Sequence, residues 1–260
     1  MRFHCVAISA VLSLLALLVL ACPALAHEFL VIPEATDVAP GQEIGVSVVS
    51  CHVFMVSEEA EPLEHVTVGL LQNGETVDVD LAENTDTLTL DGMAAIPAEG
   101  GAILVGHREG VVWCNTTQGW VQGSKQEAQN VISSGKYEKF CKVLLVVDGN
   151  SQGFDTVVGD RLEIVPLQDP AQASVGDDIQ VQVLFDGQPL AVDEVLATYD
   201  GFTDAENTYA YMTEPDGDGI ARIKVHSPGL WMVRVQHILE EETADYDKHV
   251  MRAALIFQVD

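Results

Sequence analysis

The stretch Ile179-Gln180-Val181-Gln182-Val183-Leu184-Phe185-Asp186-Gly187-Gln188-Pro189 decides the fold. Ile179, Val181 and Val183 alternate with Gln180 and Gln182, the two-residue period of a strand with one buried face. Asp186-Gly187 is a dipeptide that accepts positive φ and closes a turn. The same pattern runs outward in both directions. Leu162-Glu163-Ile164-Val165-Pro166 precedes it, and Val195 to Tyr199, Ile220 to Val225, Leu230 to His237 and Val250 to Val259 follow. Asp216-Gly217 and Asp218-Gly219 mark a further turn. Upstream, Ile44 to Val56, Val66 to Leu71, Gly101 to His107 and Lys142 to Val147 read as strands, with Asn73-Gly74, Asp91-Gly92 and Asp148-Gly149 as turns.

Short strands with such punctuation belong to sandwiches rather than to βαβ units. The expectation is an all-β protein of two β-sandwich domains, immunoglobulin-like or transthyretin-like, spanning residues 27–155 and 160–260. One segment departs from it. Ser124 to Phe140 has helix-friendly composition around Gln126-Glu127-Ala128 and Tyr137-Glu138-Lys139-Phe140, and predicts a short helical insertion in the first domain. Its Lys125, Lys136 and Lys139, with Lys142 just beyond, then read as a solvated face or a docking surface.

The chain has 260 residues, with 40 Asp+Glu against 12 Lys+Arg and a formal net charge of -28. A polyanion would be repelled, so the sequence argues against nucleic acid as a partner and for cations. At 48% hydrophobic and 20% charged residues it is too apolar for disorder. Arg2, the apolar run Val6 to Leu20 and Ala24-Leu25-Ala26 read as a signal peptide over residues 1–26, cleaved before His27. That places the protein in the periplasm. An uncleaved anchor is the rival, and lipid anchoring at Cys22, after Val19-Leu20-Ala21, is another. Cys51, Cys114 and Cys141 would remain. An odd count leaves one thiol over, with Cys114 and Cys141 as the pair to consider and three reduced, buried cysteines as the alternative.

No GxSxG elbow, Walker loop, GxGxxG or HExxH is present, and no enzyme activity is expected. Histidine carries the chemistry that remains. His27 as a mature N-terminus would offer an α-amine and an imidazole to one transition metal. His52 lies in the alternating run Val46, Val48, Ser50, His52, Phe54, as a strand-held ligand or a core histidine. His107 reads as a strand-end residue facing a cleft. His249 lies among Asp245 and Asp247, carboxylates that could orient a ligating imidazole. His65 and His226 read as surface residues, and Glu58-Glu59-Ala60-Glu61 as a solvated charge run. Asp216 to Gly219 fits a hairpin better than a calcium loop.

Several of these stretches together resemble one family. They are His27-Glu28-Phe29-Leu30-Val31-Ile32-Pro33, Ser50-Cys51-His52-Val53-Phe54-Met55, Gly106-His107-Arg108, Lys136-Tyr137-Glu138-Lys139-Phe140, Ala197-Thr198-Tyr199-Asp200-Gly201-Phe202 and Pro228-Gly229-Leu230-Trp231. The family is the DUF4198-type exported proteins, described as periplasmic components of cobalt/nickel uptake systems. The resemblance implies a β-sandwich protein that binds a divalent transition metal and supports its delivery to an inner-membrane transporter. Its Ala-His-Glu/Asp-Phe start falls on Ala26, His27, Glu28 and Phe29. The expected ligands of a nickel or cobalt ion are then His27, His52, His107 and His249. The rival is a non-metal interaction or adaptor module with structural histidines, and a further class is an oxidative enzyme with an N-terminal histidine brace on copper.

Overall fold

The computed structural model describes residues 27–260. The expected leader, residues 1–26 with Cys22, lies outside the described residues. The first half of the chain forms β1 (Glu28–Pro33), β2 (Asp37–Val38), β3 (Glu43–Cys51), β4 (Val66–Gln72), β5 (Glu75–Asp78), β6 (Leu81–Asn84), β7 (Thr89–Ala95), β8 (Ala102–Thr116), β9 (Gly119–Gln122) and β10 (Val131–Val147). The second half forms β11 (Leu162–Pro166), β12 (Asp178–Phe185), β13 (Gln188–Pro189), β14 (Val195–Tyr199), β15 (Tyr211–Thr213), β16 (Ile220–Lys224), β17 (Gly229–Leu239) and β18 (Lys248–Val259). Among the described residues the helical content is two short 3-10 turns, Leu63–His65 and Pro170–Gln172. The protein is all-β.

The strands pair into three sheets. The largest has the order β15-β14-β17-β18-β10-β8-β4-β5, with β2 on β10 and β9 on β8; the others are β1-β3-β7-β6 and β11-β12-β13 with β16 on β12. Alternation along the central strands feeds two cores. From β10, Cys141, Val143 and Leu145 join Phe29, Ile44, Val46 and Leu90 in the first core. Phe140 and Leu144 of the same strand join Ile164, Val181 and Val183 in the second. On β18, Ala254 and Ile256 face the first core, while Ala253, Leu255 and Phe257 face the second. The large sheet is therefore the middle layer of three, and each half of the chain supplies one outer sheet. The halves meet where β10 and β18 pair in parallel from Gly135↔Lys248 to Val143↔Ile256.

The opening stretch forms the strand and turn its alternation predicts. Ile179, Val181 and Val183 are wholly buried, and Asp186 and Gly187 have φ of 47° and 72°, the paired positive values of a type I′ hairpin. Asp91-Gly92, expected as a turn, lies inside β7. Glycine is needed there because a Cβ at position 92 would come within 2.6 Å of the Asp80 carbonyl oxygen.

The helical insertion is replaced by a strand. Residues 124–130 form turns and bends, and β10 starts at Val131. Flanked by β8 on one side and β18 on the other, β10 is buried on both faces, so its apolar residues do not alternate with polar ones. Its charges looked helical and solvated because their partners are remote in sequence. Lys139 Nζ meets Glu61 at 2.8 Å, and Lys142 Nζ meets Glu163 at 2.8 Å. Tertiary pairing here overrides local propensity.

Cys51, Cys114 and Cys141 are buried free thiols. Cys114 sits opposite Ser134 and Cys141 opposite Gly106, so the two are seven residues apart along the β8–β10 ladder, about 20 Å, far beyond disulfide reach. The Asp216 turn is a hairpin: its Oδ1 accepts from the backbone N–H of Asp218 and of Ile220, both at 3.0 Å.

Candidate metal centre

The register of the first two long strands assembles the site. β1 and β3 are antiparallel with Glu28 opposite Cys51, so the residues just beyond, His27 and His52, come together at one end of the outer sheet. Their ring centroids are 4.1 Å apart at 41°. His52 is not on the strand, as its alternation suggested. β3 ends at Cys51, and His52 opens a turn in which Met55 takes φ of 66° and the chain reverses. The reversal returns Glu58 to the strand end, where its N–H donates to the Ser50 carbonyl at 2.9 Å.

Glu58 then serves both histidines. Its Oε1 accepts from the His52 backbone N–H at 2.8 Å, and its Oε2 lies 2.9 Å from His52 Nδ1 and 3.4 Å from His27 Nε2. Glu59 Oε1 is 3.0 Å from His27 Nδ1. Partial burial would raise the Glu58 carboxyl, but hydrogen bonds from the His52 ring and backbone outweigh it and hold the group below the usual range. Donor atoms of His27, His52 and Glu58 all lie within 4.8 Å of one another. Bonds of about 2.1 Å at tetrahedral or octahedral angles place neighbouring ligand atoms roughly 3.0–3.4 Å apart. Glu58 Oε2 stands 3.4 Å from His27 Nε2, inside that range, and 2.9 Å from His52 Nδ1, a hydrogen-bond distance just under it.

Buried charges fasten this end of the sheet to the middle layer. Beside His27, Glu28 Oε1 receives Arg234 Nε at 2.9 Å and Arg252 Nη1 at 3.1 Å. Three residues past Glu58, Glu61 receives Lys139 at 2.8 Å, Arg108 at 3.1 Å and the Ser50 hydroxyl at 3.2 Å. Burial works to raise the Glu61 carboxyl, and the two cations overcome it, bringing it down to about 2. The second half of the chain also reaches the site: Asn207 N–H donates to the His52 carbonyl at 2.9 Å.

The other two expected ligands lie elsewhere. His107 is in the middle of β8, not at a strand end, and stacks on Phe140 with centroids 4.9 Å apart. Its Nε2 is 2.9 Å from Glu138 Oε1, and His249 Nε2 is 2.9 Å from Glu138 Oε2. Phe140, Met251 and Ala253, which share their faces, belong to the second core. The four histidines thus form two pairs on opposite faces of the middle sheet, not one coordination shell. Burial would raise the Glu138 carboxyl, yet the contacts with His107 and His249 press it well below its ordinary value. Asp245 and Asp247, expected to orient His249, instead bind Ser124, Lys125 and Ser134.

Glu58 and Glu59 were missed because a run of acids ordinarily means a solvated loop. The available signal was position: a carboxylate six residues after a histidine that opens the turn behind a strand, separated by one tight reversal.

A comparison with curated proteins gives no match. Among solved structures, the D0-D1 domain of intimin aligns over 90% of this chain and 98% of its own, at 14% identity and a TM-score of 0.23. The ectodomain of mouse nectin-like molecule 4 aligns over 90% and 65%, at 10% identity and 0.22. A DUF4785 family protein from Legionella pneumophila aligns over 78% and 50%, at 10% identity and 0.27. With scores this low, the reading of the site rests on its own geometry. The family profile is more informative about kinship: matched over residues 24–239 by DUF4198, a domain of unknown function, the chain belongs to that family.

Proposed function

We propose that this protein binds a divalent transition metal, nickel or cobalt, through His27, His52 and Glu58, and hands it to an inner-membrane transporter from the periplasm. The observation that carries the reading is the strand register that sets His27 against His52 beside a carboxylate already held in its ionised form. Removal of residues 1–26 would free the His27 α-amine, which closes a chelate ring through Nδ1; that nitrogen faces Glu59 and Nε2 faces Glu58, so the ring turns over to bring Nδ1 onto a metal shared with Glu58. Coordination and release are the whole of the chemistry. His107 and His249 are engaged with Glu138 on the far face and stand outside this shell. Two imidazoles and an amine are also what a copper brace requires, so copper is the competing metal.

Calorimetric titration of nickel, cobalt, zinc and copper into the protein from His27 to Asp260 tests this, beside a version with one residue added before His27. Tight nickel or cobalt binding that weakens sharply in the extended version supports the N-terminal chelate. Binding that is absent, or indifferent both to the extension and to His52→Ala, leaves an adaptor module with structural histidines as the better reading.

A further inference from the structure

The outer sheet of the first half carries one sign of charge. Between His27 and His107 the sequence holds 15 Asp and Glu and no Lys or Arg; the first basic residue, Arg108, is buried against Glu61. On this sheet the row Val31, Val48 and Leu90 enters the first core, and the next row in register, Ile32, Ser47 and Asp91, lines a groove of about 660 Å³. Asp91 is a fixed anion in that lining. The Ser47 and Thr89 hydroxyls donate to its Oδ1, both at 2.8 Å, and Asn84 Nδ2 donates to its Oδ2 at 2.7 Å. Partial burial would raise its carboxyl, and these three donors outweigh it and hold the group below the usual range. One wall of the groove is Met55, Val56 and Ser57, from the turn that joins His52 to Glu58.

The backbone is strained at the same place. Of the seven non-glycine residues with positive φ among the described residues, five are Asn or Asp; the other two are Met55, at 66°, and Leu88, at 58°. Ser57 links their two turns, its hydroxyl donating to the Leu88 carbonyl at 2.6 Å. Bulky side chains in that region cost energy, and residues held there gather at ligand clamps. Val56 and Leu88 are also exposed. Apolar walls, an ionised lining and no basic residue from its own layer suit a cation with apolar neighbours, whereas a bare ion would leave the walls uncovered. The groove crosses β1, β3 and β7, about 10 Å, which three to four residues of extended chain span. We infer that it docks an extended basic segment of the protein that receives the metal, with a Lys or Arg at Asp91 and an apolar side chain against Met55 and Val56. The identity of that partner rests on the metal reading of the neighbouring site. The net charge of -28 speeds the encounter, and the groove sets where the segment lands.

The test is binding of a fluorescent peptide of alternating lysine and leucine to the metal-free His27 to Asp260 protein, read by anisotropy. It should bind, and matched peptides with glutamate for lysine or serine for leucine should not. Val56→Lys sets a like charge in the wall and should weaken binding about tenfold. Val77→Lys makes the same charge change at an exposed position on β5, outside the groove, and should leave the affinity within about twofold. Absent binding, equal binding of the glutamate or serine peptide, or equal weakening by the two variants overturns this inference and leaves the metal site standing. A protein that binds the peptide at the groove and takes up no nickel overturns the metal reading, and with it the recipient of the metal as the partner.

Discussion

The two histidine pairs share a composition, two imidazoles and a glutamate, but the fold treats them differently. His27, His52 and Glu58 sit just ahead of β1 and on the turn that follows β3, partly exposed, with Glu59 alongside. His107, Glu138 and His249 sit on three adjacent strands of the middle sheet, with His249 only 2% exposed. The outer set can adjust its distances by moving a loop, whereas the inner set is fixed by ladders on both sides of β10. A site that must take up and release an ion needs the first kind of support. A clasp between the halves of the chain needs the second.

The sharpest way to break that comparison is Glu138→Gln. If the inner set is a structural clasp, losing the carboxylate that is hydrogen-bonded to His107 and in close contact with His249 should cost about 2–3 kcal/mol, read as a lower urea midpoint at unchanged m. Nickel affinity should stay as it was. A variant that keeps its stability and loses metal would reverse the two roles.

Glu58→Gln is the counterpart and should behave in the opposite way. It removes the anionic donor and the acceptor that orients His52, so nickel affinity should fall about 10-fold to 100-fold by calorimetry. Stability should move by no more than about 0.5 kcal/mol, because the group is on the surface and its ion pairs there contribute little. Acid should act on the same contrast. Glu61, held at about 2 under the outer site, contributes stability that is complete above its unfolded value of about 4.3. That contribution is lost as pH falls toward about 2, so the scaffold should outlast metal binding during acidification, because protons compete for the ligands first.

The difference between the pairs also explains what the sequence could tell. Strand patterns with one solvent face, such as Ile179 to Phe185, announce themselves by alternation. β10 has neighbours on both sides and cores on both faces, so its signature was lost among Lys136, Glu138, Lys139 and Lys142; the partners of the last three come from four other segments. His27 and His52 were legible as candidate donors because of where each stands, one at the expected cleavage point and the other in an alternating run. Their grouping with His107 and His249 was not legible, since alternation says which residues share a strand face but not which core that face meets. Glu58 required knowing that Met55 reverses the chain, and a left-handed methionine leaves no local signal.

The smallest effect tests whether the inner region is purely structural. Asp160 lies near His107, Glu138, Glu163 and Lys142, with Oδ2 buried and lacking a hydrogen-bond partner among the described residues. Burial first, then the Glu163 charge, push its carboxyl up to about 6. A carboxyl raised in the folded state binds protons more tightly there than in the unfolded chain, whose value is about 3.9, so ionised Asp160 opposes folding at neutral pH. Asp160→Asn should therefore stabilise the protein by about 1–2 kcal/mol at pH 7, after allowing for relaxation around the charge. The gain should shrink as pH falls from about 6 to about 4, where native Asp160 becomes neutral in both states. Paired denaturation curves at the two ends of that window measure it. If Asn at 160 gives no gain at pH 7, the carboxylate is being used by a cation, and the inner cluster would have to be read as a second binding site.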